Sequence, residues 1–231
     1  MSNVYILKPV AYTLLIVAII TGALAMWSET LKINVSVNTG ELHWRFKPGS
    51  EIIKDECGTG SLDWNATYLT NGSVGAERID DAKDVGCTTA EFYDTDGDGD
   101  LDTLNITIHN GYPWYYTHVA FAVENDGTIP LKIWKVVIQG RTTYEITSST
   151  GMKIDLTGDG KPDVLIWWGD NFGKQLHQGD YADISLEIVV LQDAPENANL
   201  TISITMYAIQ WNEYDSVMSS TSTSTITASP A

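Results

Sequence analysis

From Leu31 to Asn38 the chain alternates, with Leu31, Ile33, Val35 and Val37 facing one way and Lys32, Asn34, Ser36 and Asn38 the other. A period of two is the signature of a strand with one buried face. The same pattern recurs over residues 42–46, 104–108, 184–188 and 200–206, and further strands are predicted over 115–124, 131–138 and 164–168. Turn signals such as Asn125-Asp-Gly-Thr, Gln139-Gly and Gln178-Gly-Asp separate the runs. About nine or ten strands are expected, in an all-β, two-sheet sandwich of jelly-roll type. Helix is expected only near the N-terminus, with a short turn around residues 76–83.

Residues 10–25 form an apolar run preceded by Lys8 and ending in Ala23-Leu-Ala25, a small-x-small pattern that a signal peptidase accepts. A Sec signal peptide over 1–25 and a mature start near Met26 follow. The alternative is a retained membrane anchor, although a span wants about 20 apolar residues. Residues 26–39 then form the N-terminal strand and 40–218 the sandwich. Residues 219–231 are a low-complexity Ser/Thr tail, expected to be mobile, either carrying O-linked sugars or unmodified.

With 231 residues and 43% hydrophobic content, the chain suits one sandwich-sized domain behind its leader. The balance of 13 Lys+Arg against 30 Asp+Glu, a net charge of -17, argues against nucleic acid and anionic membranes as partners. Membrane contact is expected only through the signal peptide. Cys57 and Cys87, an even count behind an export signal, are expected to form one disulfide.

Many of the acids sit in two short runs. Asp94-Thr-Asp-Gly-Asp-Gly-Asp-Leu-Asp102 offers Asp94, Asp96, Asp98 and Asp102 as carboxylates, with Gly99 sixth and the backbone carbonyl of Asp100 as a further ligand. This is the start of a calcium loop: a hard cation wants about six to eight oxygens, and alternate side chains converge only where glycine permits a sharp turn. The twelfth position holds Asn105 rather than a bidentate Glu, so a structural Ca2+ site weaker than an EF-hand is expected. A second loop repeats the pattern with Asp155, Thr157, Asp159 and Asp163 around Gly160, made less anionic by Thr157 and Lys161. For both, the plain alternative is a wet acidic turn between strands.

Sequons for N-glycosylation occur at Asn34, Asn65, Asn71, Asn105 and Asn199. Asn34, Asn105 and Asn199 fall on the polar side of alternating strands, where a glycan would not disturb a core.

A leader ending before Trp27-Ser-Glu-Thr, the run Leu31 to Val37 and then Asn38-Thr-Gly-Glu-Leu42 resemble the opening of camelysin and TasA proteins, an opening shared by archaeal bundling-pilus subunits. The stretch from His118 to Leu131 and the closing Tyr-Ala-Ile-Gln-Trp211 extend the likeness. The resemblance implies a secreted jelly-roll subunit that polymerises by donor-strand exchange into extracellular biofilm or bundling filaments. In that reading Leu31, Ile33, Val35 and Val37 insert into an identical neighbouring subunit. Such a head-to-tail contact does not close on itself, so it propagates. If the same segment instead folds back as an edge strand of its own subunit, the protein is a monomer.

Camelysin-like proteins have been described as metallopeptidases. This chain has no His-Glu-x-x-His, no histidine pair at i, i+4 among His43, His109, His118 and His177, and no Gly-x-Ser-x-Gly, so no enzyme is expected. The other reading is a secreted or tethered surface-layer module that holds glycans or protein through Trp114, Tyr115, Tyr116, Trp167 or Trp168.

Overall fold

The structure is a computed structural model and describes residues 12–14, 36–68, 74–78, 83–140, 142–149, 151–169 and 171–221. The chain divides after Thr39 into an N-terminal unit and a larger unit from Gly40 onward. In the first unit, residues 12–14 are helical, while 36–39 are exposed and form no strand. The remaining leader residues, with Leu31, Ile33 and Val35, lie outside the described residues; Val37 is 77% exposed. Among the described residues, no helix is long and apolar enough to cross a membrane.

The larger unit is all-β. In chain order its strands are β1 (Arg45–Phe46), β2 (Ile52–Ile53), β3 (Trp64–Tyr68), β4 (Val74–Arg78), β5 (Cys87–Tyr93), β6 (Thr103–His109) and β7 (Tyr115–Glu124). There follow β8 (Leu131–Gln139), β9 (Thr143–Ile146), β10 (Gly151–Ile154), β11 (Val164–Trp168), β12 (Gln175–Leu176), β13 (Tyr181–Val190) and β14 (Leu200–Gln210). One sheet runs β10-β11-β13-β7-β3-β4, with β1 and β2 also on β7; the other runs β12-β8-β14-β6-β5, with β9 also on β8. Every pairing between these strands is antiparallel. The chain crosses between sheets at β4→β5, β6→β7, β7→β8, β9→β10, β11→β12, β12→β13 and β13→β14, so the inner faces of consecutive strands meet in one core.

The alternation read from the sequence supplies that core. Ile106 and Ile108 of β6, Ile202 and Ile204 of β14, and Ile133 and Ile138 of β8 are buried. They belong to one cluster with Val119 and Phe121 of β7, Ile184 and Leu186 of β13, and Ile166 and Trp168 of β11. The ring of Trp168 meets that of Phe121 edge-on at 6.3 Å. Burial of such side chains, about 1.5–3 kcal/mol each, is the main force holding the sheets together.

Three expectations need correction. The strand predicted over 42–46 is confined to Arg45–Phe46. Upstream, the backbone is held instead by the β7–β8 turn, where Gly127 N donates to His43 O and Thr128 N to Glu41 O, at 3.1 and 2.9 Å. A Cβ at Gly127 would lie 2.5 Å from the backbone nitrogen of His43, so only glycine allows that approach. The short turn expected around 76–83 begins instead as β4, paired with β3 from Val74 to Arg78. A helix, α1 (Tyr214–Thr221), also follows β14 and carries regular structure into the start of the Ser/Thr tail.

Beside the disulfide, Asp55 and Asp63 are buried. The Tyr115 hydroxyl donates to Asp55 Oδ2 at 2.8 Å, and Asp63 accepts from the amides of Val85 and Gly86 at 3.1 and 3.3 Å. Burial pushes the Asp55 carboxyl up; the Tyr115 hydrogen bond opposes this and the charges of Asp63 and Asp84 add to it. A raised folded value means that this group's contribution to stability is full below the ordinary carboxylate range and is lost as pH rises through the raised value. Asp55→Asn keeps an acceptor for Tyr115, so it is expected to raise Tm at neutral pH. The gain should shrink as pH falls through the Asp55 range; calorimetry showing an equal shift at every pH would contradict the assignment.

Candidate metal centre

The two acidic loops fold alike. In the first, which links β5 to β6, Asp94 Oδ1 accepts from Gly97 N at 2.7 Å and Oδ2 from Gly99 N at 2.9 Å. In the second, which links β10 to β11, Asp155 Oδ1 accepts from Gly158 N, and Oδ2 from Gly160 N at 2.9 Å. At the fifth position, Asp98 accepts from Asp100 N and Asp159 from Lys161 N, at 2.9 and 2.8 Å. At the ninth, Asp102 accepts from Thr95 N at 3.2 Å and Asp163 from Leu156 N at 2.7 Å. Gly97, Gly99, Gly158 and Gly160 have φ of 82°, 98°, 77° and 90°, a region that favours glycine and lets the loop curl around its carboxylates.

Their electrostatics differ. Ligand atoms of Asp94, Asp96 and Asp102 lie within 4.8 Å of one another, as do those of His43, Asp98 and Asp100. Asp96 accepts from the Asp98 amide, which lowers its pKa, but burial and the charges of Asp98, Asp102 and Asp94 win and hold it above its ordinary value. Burial would push Asp102 up, yet hydrogen bonds from the Thr103 and Thr95 side chains bring it below the usual range. Asp155 is likewise lowered, the Gly160 and Gly158 amides outweighing burial. In the second loop, Thr157 stands where Asp96 stands in the first, and Lys161 stands where Asp100 stands and reaches Asp193 at 3.5 Å.

Asp163 is a structural member of its loop: it is buried, and Oδ2 accepts from both Leu156 N and Thr157 N, at 2.7 and 2.8 Å. Asp163→Ala would orphan these donors and is expected to cost about 2–4 kcal/mol. Exposed Asp159, with one backbone contact, should cost under about 0.5 kcal/mol when replaced by Ala. Denaturant melts of the two variants check this, and equal losses would contradict it.

Sequence reasoning missed His43 and Arg45. His43 Nε2 lies 2.9 Å from Asp100 Oδ2, and Nδ1 lies 2.5 Å from Asp126 Oδ1. Arg45 donates to Asp100 Oδ1 at 3.1 Å and to Glu124 Oε1 at 3.0 Å. The hydrogen bond with Asp126 raises His43 above its ordinary value against burial, and the charges of Asp126 and Asp100 add to it. The Asp100 side chain is thus engaged by His43 and Arg45. The alternation His43-Trp-Arg45 put both on one face, but nothing in the sequence brought that face to the loop.

Cys57 and Cys87 form a disulfide, and among the described residues no cysteine is free. Asn34 and Asn71 lie outside the described residues. Asn199 is exposed just before β14, whereas Asn65 and Asn105 are half-buried, each with its amide oxygen enclosed. Among the aromatics considered for binding, Trp114 is 40% exposed, Trp167 is half-buried, and Tyr115, Tyr116 and Trp168 are buried as packing residues. No protein-family model, curated protein or solved structure matches the chain.

Proposed function

We propose that this chain is the structural subunit of an extracellular filament, assembled from identical copies by donation of the strand over residues 31–37, and that it is not an enzyme. The observation that carries the reading is a two-sheet sandwich with, among the described residues, an open edge. Among the described residues its buried core runs from Phe46 to Met206, and Val37, the described member of the donor run, is 77% exposed.

The open edge belongs to β5. Thr88 N donates to Asp55 O and Thr88 O accepts from Cys57 N, so the backbone of alternate residues points away from β6. Beyond Thr88, the same parity directs the amides and carbonyls of Ala90 and Phe92 outward, where no strand pairs with them among the described residues. An added strand satisfies such groups, and its alternate side chains seek pockets. Phe92 stacks on Phe46 at 5.1 Å, and a cavity of 70 Å³ opens beside Phe46, Leu101, Val123 and Met206.

A synthetic peptide of residues 29–38 tests this reading. In excess, it should bind the full chain, protect the amides of Ala90 and Phe92 from hydrogen exchange and stop fibre growth. Unchanged growth together with unprotected amides would refute it.

Calcium in the acidic loops belongs to the same reading, as a brace for the β5–β6 and β10–β11 ends. The donors suit it: Asp94, Asp96, Asp98 and Asp102 with the Asp100 carbonyl in one loop, and Asp155, Thr157, Asp159 and Asp163 in the other. Free calcium at a hundred times Kd should add about 2.7 kcal/mol of stability, reversed by a chelator and reduced by Asp98→Asn. An unchanged melt would remove calcium from the account.

A further inference from the structure

We infer that the outward face of the second sheet, across β5, β6 and β14, is a binding groove for a free neutral oligosaccharide. The groove is a property of one subunit, so the inference stands apart from the filament reading.

Antiparallel register builds it. Thr89, Thr107 and Thr201 stand in one row across the three strands, and Glu91, Asn105 and Ser203 in the next. The Thr107 and Thr201 hydroxyls are 3.2 Å apart, and the Thr89 hydroxyl is 3.3 Å from His109 Nε2. At one end Tyr93 is 41% exposed, its hydroxyl donating to Glu91 and so fixing the ring as a platform. The cleft is shallow and open to solvent, with a volume of 430 Å³.

Its chemistry selects the occupant. Hydroxyls both donate and accept, and an amide, a carboxylate and an imidazole complete a set that matches a polyol. No Lys or Arg lines the groove and the chain carries -17, so anions are disfavoured. A peptide strand finds no backbone on this face: β6 is paired on both sides, and the unpaired groups of β5 lie along the sheet edge in the plane of the sheet, not on the face. An apolar partner finds a single exposed ring. A tethered glycan on Asn105 fits less well than a ligand from solvent, because the amide oxygen of Asn105 is enclosed.

Titration of the full, unglycosylated chain with fragments of mannan, dextran, laminarin and chitin, followed by NMR, tests the inference. Amide shifts at Thr89, Asn105, Thr107 and Thr201 are expected for at least one probe, with affinity about tenfold weaker in Tyr93→Ala. Glu91→Ala, a second exposed position, should weaken binding in the same direction if Tyr93→Ala melts early. Trp167→Ala should leave binding unchanged. Binding of none of the four, binding indifferent to Tyr93 and Glu91, or shifts centred on Trp167, Ser185 and Glu187 would each overturn it. A chain carrying its own glycans that binds no probe, while its Asn199→Gln form does, would put a tethered glycan in the groove and overturn the free-ligand assignment.

Discussion

Replacing Cys57 and Cys87 together by serine is expected to lower the unfolding free energy by about 3–4 kcal/mol and Tm by about 6–16 °C. The bridge spans 30 residues, a loop whose closure removes much entropy from the unfolded chain. It also fastens a weakly attached part of the fold. The β3–β4 hairpin lies inside that loop and, among the described residues, is in register with β7 at Trp64↔Tyr116 and Asn65↔Tyr115, with Trp64, Ala66 and Ala76 packed in the small cluster around Tyr116. Cys87 opens β5 on the other sheet, so the disulfide ties this hairpin's stretch of chain to the opposite layer. Hydrogen exchange in the variant should therefore rise first in β3 and around Asp55, before the core strands β7 and β13 respond. A Tm shift under about 2 °C would mean that side-chain packing alone holds the region.

The second large effect concerns assembly. Ile33→Asp is expected to abolish fibre growth while leaving the sandwich melt within about 0.5 kcal/mol of the parent, because among the described residues the buried core begins at Phe46, with Trp44 packed against it. A buried isoleucine contributes about 1.5–3 kcal/mol, and an unpaired carboxylate in its place adds a penalty of several kcal/mol. Together these should raise the critical concentration at least about a thousandfold. Val35→Asp should behave alike, whereas Lys32→Ser, on the opposite face, should still polymerise. Sedimentation and negative-stain microscopy read both. Normal growth of Ile33→Asp would sink the donor-strand reading, and an early sandwich melt would mean that the segment belongs to its own fold.

The long inner strands were legible because hydrophobic alternation and turn residues coincide there. Residues 115–124 and 164–168 match β7 and β11 at both ends, and 184–188 lies within the ten residues of β13. Edge strands were not. In β5, Cys-Thr-Thr-Ala-Glu-Phe-Tyr turns Ala90 and Phe92 inward with little apolar contrast, and β1, β2 and β12 are two residues each. The turn geometry of both acidic loops could be read from spacing, since glycines fix where the chain curls, but the grouping could not: among the described residues Asp94, Asp96 and Asp102 come together, Asp98 joins His43 and Asp100 instead, and Asp155, Asp159 and Asp163 form no such group. Their difference in surroundings could not: His43 and Arg45 reach Asp100 from 57 and 55 positions away, through the turn around Gly127. Burial of Asp55 and Asp63 was equally hidden, because neither sits in an apolar run and their partners Tyr115 and Val85 arrive only through tertiary packing.

Electron cryo-microscopy of fibres sheared from the producing cells tests the central claim most directly, by locating residues 31–37. They are expected to lie as a strand along β5 of a neighbouring subunit, with Ile33 and Val35 turned into its core. Finding them paired within their own sandwich, or finding no fibres that contain this chain, would contradict it.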